Sequence, residues 1–212
     1  DALNAFTARM LLLLESRPVR PEITYERLLE RIVGFYYRDF DDHAADFVPV
    51  FLMNDILRFW RTLTLNYEHH RLKLQELEGE ELEAKKADSA LKNYKLKVSR
   101  ITTCFSMVAQ LAAATAPVTQ GEVVGLCRMT PSARLAALRS CGEGVADTID
   151  DLARHYESFL AATQRPEAEL LTEFRDPARR KEALDAANRY GDLIFELLRR
   201  VAPDRRMRYL VI

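Results

Sequence analysis

The sequence predicts an all-α fold, a helical bundle of about seven to eight helices with long helices packed antiparallel. Three observations lead there. Apolar residues recur at three- and four-residue intervals through most of the chain. No alternating apolar and polar run is flanked by turn residues, and the terminal "RYLVI" is too short to read as a strand. Prolines and acidic turns punctuate the periodic stretches or fall in their first turns.

A first helix covers 2–16 and stops before "RPVRP", where two prolines forbid continuation. A second runs over 22–38, and the acidic turn "DFDDH" follows. A third begins near Ala44 or Asp46, with Pro49 in its first turn, and contains "FLMNDILRFWRTLTLNYEHH", residues 51–70. Beyond His70, "QELEGEELEAKKADSA" reads either as a solvated helix extension or as a hairpin tip at Gly79. The next long helix covers 88–114 and is broken by "APVTQGE". Thr119 and Glu122 have capping-box spacing and open a short helix. In "TPSARLAAL", Thr130 is the N-cap and Pro131 the first helical residue. "EGVADTIDDLARHYESFLAAT" forms a further helix ending near Arg165-Pro166, and Asp176-Pro177 opens the last long one, through about Val201. The break at 115–131 separates an N-terminal helical bundle, 1–114, from a smaller helical extension, 115–212. One continuous bundle fits the same pattern.

Composition narrows the function. The 212 residues are 48% hydrophobic and 30% charged, normal for a chain that buries a core. A formal charge of −1 offers no global basic field to recruit nucleic acid or an anionic membrane. With 7 Gly and no Gly-rich phosphate loop, the common phosphate-cradling motifs are absent. Cys104, Cys127 and Cys141 are odd in number and lack C-x-x-C spacing, which argues against a disulfide framework and suits a cytoplasmic location. No apolar run reaches the ~18 residues of a membrane span. The chain opens on Asp1 inside a helical pattern, as expected of a fragment of a longer protein.

Two polar faces stand out. On the third helix, Leu52, Met53, Ile56, Phe59, Trp60, Leu63 and Tyr67 fill one apolar sector, while Asn54, Arg58 and Arg61 share the opposite face, flanked by Asp55. An ordinary amphipathic helix with an Asp55–Arg58 pair explains this; so does a ligand-facing surface of arginine forks and an amide. On the 88–114 helix, Lys92, Lys95, Ser99, Thr103, Ser106 and Gln110 fall on one face. Ammonium groups grading into hydroxyls suit a polyphosphate, whereas small hydroxyl residues at tight helix contacts explain the same stripe structurally. Two long helices joined by a hairpin are antiparallel neighbours, so the two polar faces are expected to meet across a groove.

The segments "LNAFTARMLLLLES", "DHAADFVPVFLMNDILRFWRTLTLNYE" and "LKNYKLKVSRITTCFSM" resemble the helical region that follows the catalytic domain in bacterial nucleotidyltransferase-like proteins of the DNA polymerase β superfamily. The likeness covers residues 2–110. It implies a helical substrate- and nucleotide-positioning domain that works beside its own catalytic domain, with Mg²⁺ and a nucleoside triphosphate in the full-length protein. It also implies that Lys92, Lys95, Ser99 and Ser106 lie on the phosphate side and Asn54, Asp55, Arg58 and Arg61 on the cleft side. The family's Gly-Ser turn and Asp-x-Asp strand are missing. "DFDD" at 39–42 has Asp-x-Asp spacing in a turn without that element, so no two-metal site can be built and the chain alone is expected to be inactive. The acceptor, protein or RNA, is not named by the residues. The competing expectation is a non-catalytic helical interaction or regulatory module.

Other constellations point less far. Adjacent His69 and His70 diverge by about 100° on a helix and do not easily share a metal. The C-terminal basic residues, including Arg175, Arg179, Arg180, Arg200, Arg206 and Arg208, read as a solvated face or as a contact for RNA or an acidic partner.

Overall fold

The stretch "ITTCFSMVAQLAA" is apolar or small on every side, so a helix made from it has little face to give to water. It lies at the centre of the structure, a computed structural model that describes residues 2–19 and 22–210. In chain order the helices are α1 (Ala2–Glu15), α2 (Glu22–Gly34), α3 (Val50–Leu72), α4 (Gly79–Lys95), α5 (Ile101–Ala113), α6 (Gln120–Arg128), α7 (Pro131–Ala136), α8 (Val145–Thr163), α9 (Glu167–Arg175), α10 (Pro177–Val201) and the single turn α11 (Asp204–Met207). Among the described residues there is no strand. The fold is an all-α bundle.

A π-helical turn, Leu96–Arg100, joins α4 to α5, making one rod from Gly79 to Ala113. α3 runs antiparallel to that rod, as the contacts of Trp60 with Phe105 and of Tyr67 with Ser89 require. α1 packs on α3 and α5, α2 on α6, and α7 on α5. α10 lies along α4, the π turn and α5, with α8 and α9 against it. A continuous apolar core runs from Phe6 to Leu210, so residues on both sides of the 115–131 break share it.

The caps form where the sequence places them. Thr119 accepts from the Glu122 amide at 3.3 Å while the Glu122 carboxylate accepts from the Thr119 amide at 2.6 Å. Thr130 accepts from Ala133 ahead of Pro131, and Asp176 from Ala178 ahead of Pro177. Hydrogen bonds from the Thr119 backbone and hydroxyl hold Glu122 below its ordinary pKa. Its stabilising contribution is therefore complete above the usual carboxylate range and fades as pH falls through the lowered value. Thermal melts of Glu122→Gln should show a small loss at pH 7 that shrinks as pH falls through the lowered value.

Several boundaries differ from the sequence expectation. α2 ends at Gly34 because Phe35–Tyr37 tighten into a 3₁₀ turn, where Tyr37 stacks near Phe40 and Phe47 and donates to the Val118 carbonyl at 3.1 Å. α3 starts at Val50, not near Ala44 or Asp46, with Pro49 capping it at ψ 67°, outside helical geometry. The acidic stretch is a hairpin tip, and α4 begins at Gly79 with φ +62°, a left-handed backbone that glycine adopts freely. α9, between two prolines, was not expected; its Phe174 and Leu170 are buried, with Phe174 against Tyr94. Of "RYLVI", Val211 and Ile212 lie outside the described residues.

Candidate functional site

The lysine stripe opens into a depression on the surface, a groove of about 1170 Å³ along α4 and the π turn, walled by the second half of α3 and the end of α8. Its apolar floor includes Leu63, Tyr67, Leu74, Leu96 and Phe159. Its charged lining holds Arg17, Lys73, Lys85, Lys92, Lys95 and Arg100 against Glu15, Glu76, Glu81 and Asp88. Two of those cations are locally neutralised: Lys92 by Asp88 at 2.8 Å, and Arg100 by Glu15. Lys95 is half-buried and has no carboxylate partner among the described residues. Ser99, four residues on, is half-buried and lines the same groove. The groove thus combines an unpaired ammonium, a hydroxyl and an apolar bed, which suits an anion with an organic body.

The expected stripe does not continue intact. A π turn closes i→i+5 bonds and carries an extra residue, so it resets the rotational phase of everything after it. Lys92, Lys95, Ser99 and Thr103 line the groove, but Ser106 is fully buried and Gln110 is half-buried elsewhere. Ser106 sits 3.4 Å from Nη1 of Arg134, and the Gln110 amide donates to the Arg134 carbonyl.

The polar face of α3 lies apart. Asn54, Asp55, Arg58 and Arg61 border a separate depression of about 490 Å³ with Leu57, Trp60, Thr64 and Phe105, sharing no lining residue with the groove. The two faces therefore do not confront each other. The hairpin makes α3 and the rod neighbours, as expected, but their contact is filled by side chains such as Trp60 and Phe105, whose ring centroids are 5.9 Å apart. The Asp55–Arg58 pair is not seen either. Asp55 accepts from Arg9 at 3.0 Å and from the Tyr36 hydroxyl at 2.7 Å, tying α3 to the N-terminal helices. Burial first, then that bond, raises the Tyr36 phenol well above its ordinary pKa. Arg58 stacks over Phe6 at 4.9 Å, and Asn54 donates to the Tyr209 carbonyl at 3.0 Å.

The α8 wall, Phe159, Leu160 and Thr163, was not legible in the sequence, because nothing local links it to the lysines. Sequence reading also passed over Arg134, whose signal was an arginine inside a short apolar helix with no acid three or four residues away. Four of the C-terminal basic residues are engaged: Arg200 with Glu196, Arg179 with Glu182, Arg175 with Glu80 at 3.8 Å, and buried Arg206 with the Ala112 carbonyl at 2.6 Å. Among the described residues no group of three or more His, Cys, Asp or Glu is placed to hold a metal ion, and no helix is long and apolar enough to cross a membrane.

Burial pushes the Cys104 and Cys127 thiols up to about 12 and about 11, whereas Cys141 is exposed. An aromatic disulfide reagent at pH 8 should titrate Cys141 quickly in the native chain and reach the other two only after unfolding. Cys141→Ser should remove the fast phase. Compared with known protein families, curated proteins and solved structures, the chain has no match in any of the three.

Proposed function

We propose that this chain is the substrate-side helical domain of a nucleotidyltransferase-type protein, and that the groove along α4 and the π turn positions the triphosphate for a separate catalytic domain. The observation that carries this reading is Lys95, half-buried at the groove wall without a carboxylate partner among the described residues. A lysine held that way offers full charge to an incoming anion, while Lys92 must first leave Asp88. The groove's volume of about 1170 Å³ takes a nucleoside triphosphate, with room for a base against Tyr67, Leu96 or Phe159. Mg²⁺ bound to the triphosphate would neutralise part of its charge and leave the remainder to the lysines.

In this role the domain contributes position and charge rather than bond chemistry. Lys95 would hold the outer phosphates, and Ser99 would donate to a phosphate oxygen. The likeness of residues 2–110 to such helical regions supports the assignment of reaction class. Calorimetric titration of ATP, GTP, CTP and UTP with Mg²⁺ tests it. Saturable micromolar binding to at least one is expected; absence of heat with all of them contradicts the reading.

A further inference from the structure

Much of the outer face of α3 stands in water, apart from Arg58 over Phe6 and Asn54 on the Tyr209 carbonyl. Phe51, Arg58, Leu65 and Leu72 follow one another at seven-residue intervals, which keeps them on one stripe of the helix. Phe51 is 72% exposed, Leu65 62% and Leu72 52%, large apolar side chains standing in water along one line. Arg61 lies beside the middle of that line and is exposed, as is Arg58. Neither has a carboxylate partner among the described residues. The nearby acids do not serve them: Asp55 is bound to Arg9 and Tyr36, and Glu68 pairs with Arg71 at 2.7 Å. At the N-terminal end Asn54 holds the Tyr209 backbone, leaving the Tyr209 side chain 64% exposed next to the stripe.

We propose that this face docks an amphipathic helix of a partner that carries apolar residues at the same seven-residue interval and carboxylates opposite Arg58 and Arg61. The linear stripe favours a helix, because 21 residues of α3 rise about 32 Å along one axis and a second helix follows such a seam. Aromatic residues and arginine among aliphatic side chains match the composition of interface centres. The unpaired guanidiniums set the sign of the partner's charge. A second copy of this chain fits poorly, since α3 packed on α3 around a two-fold axis near its middle would bring four arginines together. The proposal does not rest on the nucleotide reading, because the stripe and the lysine groove have only their helix in common.

The test uses two synthetic helical peptides of 21 residues, each with leucine at the first and fourth positions of every heptad. One carries glutamate at the flanking positions, the other lysine. Fluorescence anisotropy with the whole chain should show saturable binding of the glutamate peptide and binding of the lysine peptide weaker by at least about tenfold. Arg58→Glu with Arg61→Glu should reverse that preference. Phe51→Ser and Leu65→Ser should weaken the glutamate peptide without changing the melting temperature, since both side chains are already in water. Lys95→Ala should leave it unchanged. Equal binding of both peptides, binding of neither, or a preference that survives the charge reversal overturns the proposal. So does a concentration-dependent dimer in sedimentation that Leu65→Ser dissociates, which would assign the face to a second copy.

Discussion

Arg134→Ala is expected to lower the unfolding free energy by about 2–5 kcal/mol in urea titration. Arg134 is wholly buried, yet no carboxylate among the described residues pairs with it. Its guanidinium is satisfied by oxygens alone. Nε donates to the Leu126 carbonyl at 2.9 Å, and Nη2 to Leu14 at 2.9 Å and Met129 at 3.1 Å. Nη1 reaches the Thr103 carbonyl and the Ser106 hydroxyl, each at 3.4 Å. Leu14 and Leu126 lie in the last turns of α1 and α6, whose carbonyls carry the negative end of the helix dipole, and the Leu126 carbonyl accepts from the Met129 amide as well, at 3.1 Å. One side chain therefore ties the ends of two helices to the flank of α5. Burial pulls its pKa down to about 10, still well above neutrality, so the charge persists. Removing it takes a donor from each of those carbonyls and leaves a cavity at the junction. Arg134→Lys should fail almost as badly, because an ammonium has three donors and no planar fork. Arg154→Ala, which removes only an exposed pair with Asp151, should stay within about 0.5 kcal/mol of the parent. A loss below about 1 kcal/mol for Arg134→Ala would show that water takes its place.

Lys95→Ala should weaken magnesium-nucleotide binding by about tenfold to a hundredfold, the worth of one charge-assisted hydrogen bond of roughly 1.5–3 kcal/mol. Lys92→Ala should matter less. The Lys92 side chain is 67% exposed and already neutralised by Asp88, so part of its attraction is screened and part is spent in breaking that pair. Ser106→Ala should leave the affinity unchanged and lower stability instead, since its hydroxyl faces Arg134 rather than the groove. That split separates the two halves of a stripe that looks uniform in the sequence.

What the residues disclosed was chiefly local. The capping pairs at Thr119, Thr130 and Asp176 were readable because each cap is settled within three or four residues. The apolar side of α3 was readable because burial of Leu52, Met53, Ile56 and Phe59 follows helical periodicity. The site was only half readable. Lys92, Lys95 and Ser99 share the groove, but Ser106 does not, because the π turn between Leu96 and Arg100 depends on how the rod packs against α8 and α10 and has no signature in its own five residues. The arginine face was displaced for a similar reason. Arg58, the expected partner of Asp55, was replaced by Arg9 and Tyr36, which come from more than fifteen residues away, and across the hairpin Trp60 meets Phe105.

The most direct test of the central claim is a calorimetric comparison of Lys95→Ala and Arg61→Ala, titrated with whichever magnesium-nucleotide the parent chain binds best. Loss of affinity in Lys95→Ala with full affinity in Arg61→Ala is the result predicted by a ligand seated along α4 and the π turn. Full affinity in Lys95→Ala with loss in Arg61→Ala would contradict it and move the nucleotide to the face of α3.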